Sequence, residues 1–578
     1  MIKKRVSAFL FALAVLLIVF SCFACNTGKT PTDGTTGEQG SADSAPVSVI
    51  RNGKPAVTLI RSEFSSESEI KAMTDIWNTV MELWGEYPEV ATDDVLSGKG
   101  VKTEYLILIG KTVREESRTA ANRCAYGDFT VTVQGKAIVL YTHINDEITM
   151  AANAFCAYLR NQKGKENVSF AAADEICFSA HPELNRVPVM ENAFPNAYAG
   201  YDLNSYQFLY NLLGEAEVTA YGNRLSENGF EQLTEREVAN IRFTSYLNRQ
   251  SNLAVTVQYD KTVRTRRILI GNGRYQFVQD ENRYTAVTTP LLAMMGDTAD
   301  SVTGLCGLEC MMIRLSDGRF IMIDGGVASK GFADKIYNTM VAQSGGQKHV
   351  TVAAWFFSHA HNDHVGGFQA ICSYYSEYVT IENVFYNFPS SSTARAMEAG
   401  TVSEMSKVKE NLAKYYPDTK INKVHMGDLY RIADATVEVF YTPEEYLKEG
   451  RTLSQSRNFN ETSLIFSVDI GGQRIMFLGD AQEICNNETA SRFGSLLKSD
   501  FVQVAHHGGV GGTAEIHAAV NAQVALITTD DSRVEAYMSA SYNQAMLNHP
   551  NMKEWYNVHN RVYIWDLPYV PTGHGLQP

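Results

Sequence analysis

Cysteine is scarce and unpaired in this chain, with nine among 578 residues. The two closest pairs, Cys22/Cys25 and Cys306/Cys310, have no matching second pair. That excludes a zinc ribbon and leaves no disulfide framework. Positive charge is also in deficit. Fifty basic against 64 acidic side chains leave a formal charge of −14. Such a surface repels phosphate backbones, which makes nucleic acid a disfavoured partner. The N-terminal apolar run from Val6 to Phe20 is too short for a comfortable bilayer span and has the length of a secretory signal. Between residues 50 and 287 no catalytic constellation is found: His143 and His181 stand alone and read as ordinary structural histidines.

What is present suits a large folded protein. The hydrophobic fraction of 45% and aromatic fraction of 11% can fill sizeable cores, and the length predicts two or three domains. Lys3-Lys4-Arg5 precedes the apolar run, which ends in Ser21-Cys22-Phe23-Ala24-Cys25. A small residue before a cysteine at this point resembles a bacterial lipoprotein signal. The resemblance implies lipidation of Cys25, with Cys22 as the competitor, a signal over 1–25, and an extracytoplasmic, membrane-anchored protein. Residues 26–50 are rich in Gly, Ser, Thr and Asp and read as a solvated tether.

Residues 51–185 carry an α/β pattern. Ser66-x-x-Glu69 is a capping box, and Ile70, Met73, Trp77, Val80 and Trp84 keep a helical period that predicts one buried face. Tyr105 to Ile109 reads as a buried strand, and Phe129–Val133 with Ala137–Tyr141 as a hairpin. The strand, hairpin and a closing helix over 147–161 resemble the small α/β domain that precedes the barrel in several glycoside hydrolases, which implies an accessory role near carbohydrate. A second α/β region is expected over 186–287, where Ile268-Leu-Ile-Gly271 echoes Ile107-Leu-Ile-Gly110 as a duplication would.

The chemistry is concentrated in 288–570. An apolar run from Val350 to Phe357 ends in Ser358-His359-Ala-His361-Asn-Asp363-His364, followed by Gly366-Gly367. Imidazole and carboxylate hold a hydrolytic metal without closing its shell. Two residues apart on an extended segment, His359 and His361 point the same way, while Asp363 and His364 can face a second ion. Gly366 and Gly367 are expected to turn the chain out of the site. Upstream, Cys310–Leu315 and Arg319–Asp324 flank the hairpin signal Ser316-Asp317-Gly318. Downstream, Gln473–Leu478 runs into Gly479-Asp480, and Phe501–Ala505 into His506-His507-Gly508-Gly509.

The order Asp324, His-x-His-x-Asp-His, Gly-Asp480, His506 resembles the metallo-β-lactamase superfamily. The resemblance implies a four-layer αββα sandwich over 288–570 and two divalent ions, zinc or manganese. It implies His359, His361, Asp363, His364, Asp480 and His506 as ligands, with His506 preferred over His507 for the second ion. It also implies catalytic roles for Asp324 and Asp363: Asp324 would orient ligands, and Asp363 or a site histidine would handle the proton. The chain departs from the family in one place. Many members supply a third histidine to the first ion, where this chain has Asn458-Phe-Asn460-Glu461. Asn460 takes the nearest place, His425 reads as a turn residue, and Tyr386 and Asn387 are expected at the pocket wall. The Asn-x-x-Ser segment with the downstream His-His-Gly is similar to the lactamase-like domain of DNA-uptake channel proteins and to extracellular phosphodiesterases. The expected function is a surface-anchored dinuclear metal-dependent hydrolase, a phosphodiesterase acting on an extracellular, small-molecule or cell-envelope phosphoester. An esterase or lactonase, or a non-catalytic glycan- or partner-binding lipoprotein, is the alternative.

Overall fold

The computed structural model describes residues 45–93, 101, 103–144, 147–195, 197–211, 214–279, 283–296, 308–447, 458–558 and 561–573. The expectations about Cys22, Cys25 and the signal fall outside these residues. No helix among the described residues is long and apolar enough to cross a membrane. The chain divides into two compact units, Met1–Phe194 and Pro195–Pro578.

The first unit is built on a six-stranded sheet whose central strands, Val57–Arg61, Tyr105–Ile109 and Ala137–Thr142, run parallel. The expected hairpin forms, with Gln134 opposite Ala137. The capping box is present on both sides: the Ser66 hydroxyl accepts from the Glu69 N–H, and the Glu69 carboxylate accepts from the Ser66 N–H. Most of the expected helix face faces the core: Val80 is buried, and Met73, Trp77 and Trp84 pack partly buried against it. Glu69, Ala72, Ile76, Thr79 and Val80 are buried, while Ile70 is exposed. Glu69 is turned inward and accepts from the Lys111 N–H at 3.1 Å.

The second unit opens with a six-stranded sheet in which every neighbouring pair is antiparallel, from Ala197–Tyr201 to Glu231–Val238. The Ile268–Ile270 stretch lies in this sheet, whereas Ile107–Ile109 lies in a parallel one, so the two echoing segments hold different topological places. This sheet packs on the remainder of its unit, with Ile241 and Phe243 joining the main core. Arg267 is buried against Glu445, which Arg492 also meets at 2.6 Å.

Residues from Leu291 onward form two facing sheets, one of eight strands and one of seven among the described residues. Side chains alternate in direction along each strand. Ile321 and Ile323 therefore enter the core between the sheets, with Phe466, Val468 and Phe477 from the other side. Phe320 and Met322 face the helical side, with Phe332, Ile336 and Phe368. Apolar runs buried on both faces thus produce the layered αββα sandwich. The strands Phe320–Asp324 and Val350–Phe356 are parallel, as are Gln473–Phe477, Phe501–Gln503 and Val524–Ile527. Their C-terminal ends meet at one rim, the usual place for a ligand in parallel sheets.

Candidate metal centre

Each site residue hangs on the end of one of those strands or on the element just after it. Asp324 ends Phe320–Asp324, and Ser358 and His359 follow Val350–Phe356. Asp363 and His364 lie in the first turn of the helix Asn362–Tyr375. Gly366 and Gly367 are inside that helix and do not turn the chain. Their role is close approach: a Cβ on Gly367 would lie 1.6 Å from the Gly325 carbonyl oxygen. Gly479 joins the two sheets in the same way. Its φ is +52°, and a Cβ there would lie 2.8 Å from the Ser358 Cβ. The buried Gln503 side chain accepts from the Leu478 and Gly479 N–H groups, both at 2.8 Å, and so presents Asp480 to the rim.

Two trios result. His359, His361 and Asp480 bring one ligand atom each within 4.8 Å of one another, and so do Asp363, His364 and His507. His359 Nε2 and His361 Nδ1 stand 2.9 Å apart. Asp480 lies between the trios. Its Oδ1 is 3.2 Å from His364 Nε2 and 3.5 Å from His507 Nε2, and its Oδ2 is 3.9 Å from His359 Nε2. Buried polar atoms ordinarily find hydrogen-bond partners. Here His364 Nε2, His507 Nε2, Asp480 Oδ1 and the Asn460 Oδ1 are buried with no well-directed partner. A convergent set of unsatisfied nitrogens and oxygens is the donor set that a divalent cation completes, so the residues fit the metals implied by the motif.

The far sides of the ligands are engaged. His364 Nδ1 donates to Asp324 Oδ2 at 2.7 Å, and the Ser358 N–H donates to Asp324 Oδ1 at 2.8 Å. His361 Nε2 reaches Glu398 at 3.1 Å. His507 Nδ1 meets the Thr528 hydroxyl at 2.8 Å, which donates to Glu309 at 2.8 Å. These contacts fix each ring's orientation and turn its other nitrogen inward, where a cation would take the place of a proton. Electrostatics follow the crowding. Burial, then His364 and His361, hold the His359 ring well below the ordinary imidazole value. Burial pulls His364 down too, but Asp480 and Asp324 outweigh it and hold the ring well above that value. Burial pushes Glu309 up to about 8 against the pull of His507 and His364.

The expected ligands are mostly brought together, and three expected placements differ. His507, not His506, stands with Asp363 and His364. Both histidines adopt left-handed backbone, φ 51° and 57°, so the chain does not run straight off the strand and the second ring takes the place expected for the first. Tyr386 is not at the site. It is fully buried and stacked on Phe388, with ring centroids 4.4 Å apart. Asn387 donates to Glu444 at 2.8 Å in the same buried cluster as His425, away from both trios. Glu309, Glu398 and Thr528 were missed. Thr528 alone left a signal, as a hydroxyl one residue beyond the parallel strand Val524–Ile527.

Residues 304–516 match the family described as the metallo-beta-lactamase superfamily. No curated protein matches the chain. Among solved structures it is similar to the metallo-beta-lactamase fold protein YhfI from Bacillus subtilis, at 11% identity over 48% of this chain and 99% of that one, with a TM-score of 0.31. It is also similar to human tRNase Z, short form, at 12% identity over 46% of this chain and 92% of that one, with a TM-score of 0.25. The match over 304–516 falls on the strands and turns that build both trios, and this part of the chain is a metallo-beta-lactamase superfamily domain.

Proposed function

We propose that the chain is a metal-dependent hydrolase that cleaves a phosphodiester of the cell envelope or its surroundings. The observation that carries this reading is the set of unpartnered donor atoms converging around Asp480 from two sides. When bound, divalent ions supply Lewis acidity, which activates water near neutral pH and polarises a phosphoryl oxygen. Two adjacent positions sharing one carboxylate suit in-line displacement at phosphorus, where attacking and leaving oxygens both carry developing charge. The chain's own groups orient and move protons. Asp324, Glu398 and the Thr528–Glu309 pair hold His364, His361 and His507 in place. Asp363, whose side chain keeps 15% exposure, or a site histidine takes the proton of the attacking water. The formal charge of −14 favours a small phosphodiester over a nucleic acid.

The full chain, loaded with zinc or manganese, is expected to hydrolyse bis(p-nitrophenyl) phosphate and to lose that activity in Asp480→Ala and in chelator. Faster turnover of a lactone or thioester would replace the phosphodiester reading with the esterase one. Two bound metals with no turnover of any of the three would favour a binding role. The proposal extends to a lipid anchor at Cys25, which mass spectrometry of the mature N-terminus tests; an unmodified start beyond Cys25 removes the anchor.

A further inference from the structure

We propose that His506 is the third nitrogen ligand of the His359/His361 position, standing in for the imidazole that position 460 does not supply. The assignment rests on the dinuclear reading above and adds a ligand to it. Asp480 divides its oxygens between the two sides. Oδ1 faces His364 Nε2 at 3.2 Å and His507 Nε2 at 3.5 Å, while Oδ2 is 3.9 Å from His359 Nε2 and also 3.9 Å from His506 Nε2. Each oxygen therefore looks at two imidazoles, and on the Oδ2 side one of them is His506.

The ring's own contacts agree. His506 Nδ1 sits against the Val510 carbonyl, which can only accept, with the Gln482 side-chain amide also near it at 3.3 Å; donation to that carbonyl puts the proton on Nδ1 and leaves the Nε2 lone pair free on the side of Asn460 and Asp480. The partner that Nε2 meets is the Asn460 side-chain amide, at 3.2 Å. Asn460 thus stands beside His506, and its own Oδ1 is buried without a partner. The backbone completes the case. His506 and His507 are both in the left-handed region, and here the pair stands at the metal rim and not at a hairpin turn, as Leu203/Asn204 and Ala239/Asn240 do. This conformation sends successive rings to opposite sides, His507 toward Asp363 and His506 toward Asp480 Oδ2, with centroids 6.0 Å apart. With His506 included, each position has three side chains of its own and one oxygen of Asp480.

The test is titration of the metal-free full chain with cobalt(II) chloride, reading stoichiometry, chelator-competition affinity and the visible ligand-field spectrum. The wild-type protein is expected to take two equivalents. His506→Ala is expected to keep one and to bind the other roughly 100-fold or more weakly, beyond what loss of a supporting group costs. Adding Asn460→His to that variant is expected to restore the second equivalent, a rescue that a misfolded protein could not show. If His506→Ala takes both equivalents with unchanged affinity and spectrum, the assignment is overturned while the dinuclear reading stands. If Asn460→Ala abolishes the first position and His506→Ala does not, the amide oxygen is the ligand and the assignment is again overturned. Failure of the wild-type chain to bind cobalt overturns the dinuclear reading itself.

Discussion

Asp324 is held in left-handed backbone, φ 51°, a conformation that costs a residue with a Cβ about 1–3 kcal/mol. Every polar atom it offers on this side is taken. Its carboxylate accepts from the Ser358 N–H and hydroxyl and from His364 Nδ1, and its carbonyl accepts from Trp355 Nε1 at 2.9 Å. The strain is thus spent on fixing one imidazole. Removing the carboxylate in Asp324→Ala is expected to weaken the Asp363/His364/His507 position by about 10–100-fold, as loss of such supports does. Glu398→Ala is expected to weaken only the His359/His361 position, because its contact is to His361 Nε2. Chelator competition with each variant separates the two effects. Asp324 was legible in the sequence because Asp-Gly-Gly closes a strand ahead of the histidine motif. Glu309 and Glu398 were not, because each acts through another side chain far along the chain, and no local spacing records such a contact.

Elements place these residues through close backbone contact more than through turns. The helix Asn362–Tyr375 carries Asp363 and His364, and it lies against the end of Phe320–Asp324 because residues 366 and 367 have no Cβ. Adding one methyl at Gly367 would drive it into the Gly325 carbonyl, which is backbone and cannot swing away. Gly367→Ala is therefore expected to cost at least the 1–3 kcal/mol typical of overpacking, read as a lower denaturant midpoint. It should also loosen metal binding at the second position, since the helix would move with His364. Ser66→Ala, which removes a cap in the first unit, is expected to cost about 1 kcal/mol and leave metal binding unchanged. Periodicity announced these elements well, as with the hairpins at Gln134 and Ser316. On the helix Glu67–Trp84 it misplaced Ile70, which is exposed next to the inward-turned capping residue Glu69.

At the scale of the molecule, the facing sheets of the metal domain were legible because their strands are apolar on both faces and end in the ligand residues. The attachment of the six-stranded antiparallel sheet to that domain was not, because it runs through Arg267–Glu445 and Arg236–Glu438, pairs about 180 to 200 positions apart whose partners no sequence pattern links. Each compact unit also buries a histidine that folding keeps neutral. In the first unit His143 donates from Nε2 to the Cys124 carbonyl at 2.9 Å, and burial lowers its pKa to about 4. In the second, burial lowers His517 to about 4 as well, and neither ring nitrogen has a hydrogen-bond partner. For both, the folded value lies below the ordinary 6.5, so the unfolded chain binds more protons between the two values. The stability each neutral ring contributes is whole above about pH 6.5 and is lost as pH falls toward 4, by up to about 3 kcal/mol per ring. Hydrogen exchange on the full chain reads this locally. The amides of Asp128–Gln134 and Ala137–Thr142 are expected to lose protection as pH falls from 6.5 to 4, after correction for intrinsic exchange rates. His143→Gln keeps a donor for the Cys124 carbonyl but cannot take up a proton, so it should flatten that dependence in these strands alone. An unchanged slope in that variant would mean that burial of the neutral ring is not what sets the acid sensitivity of the first unit.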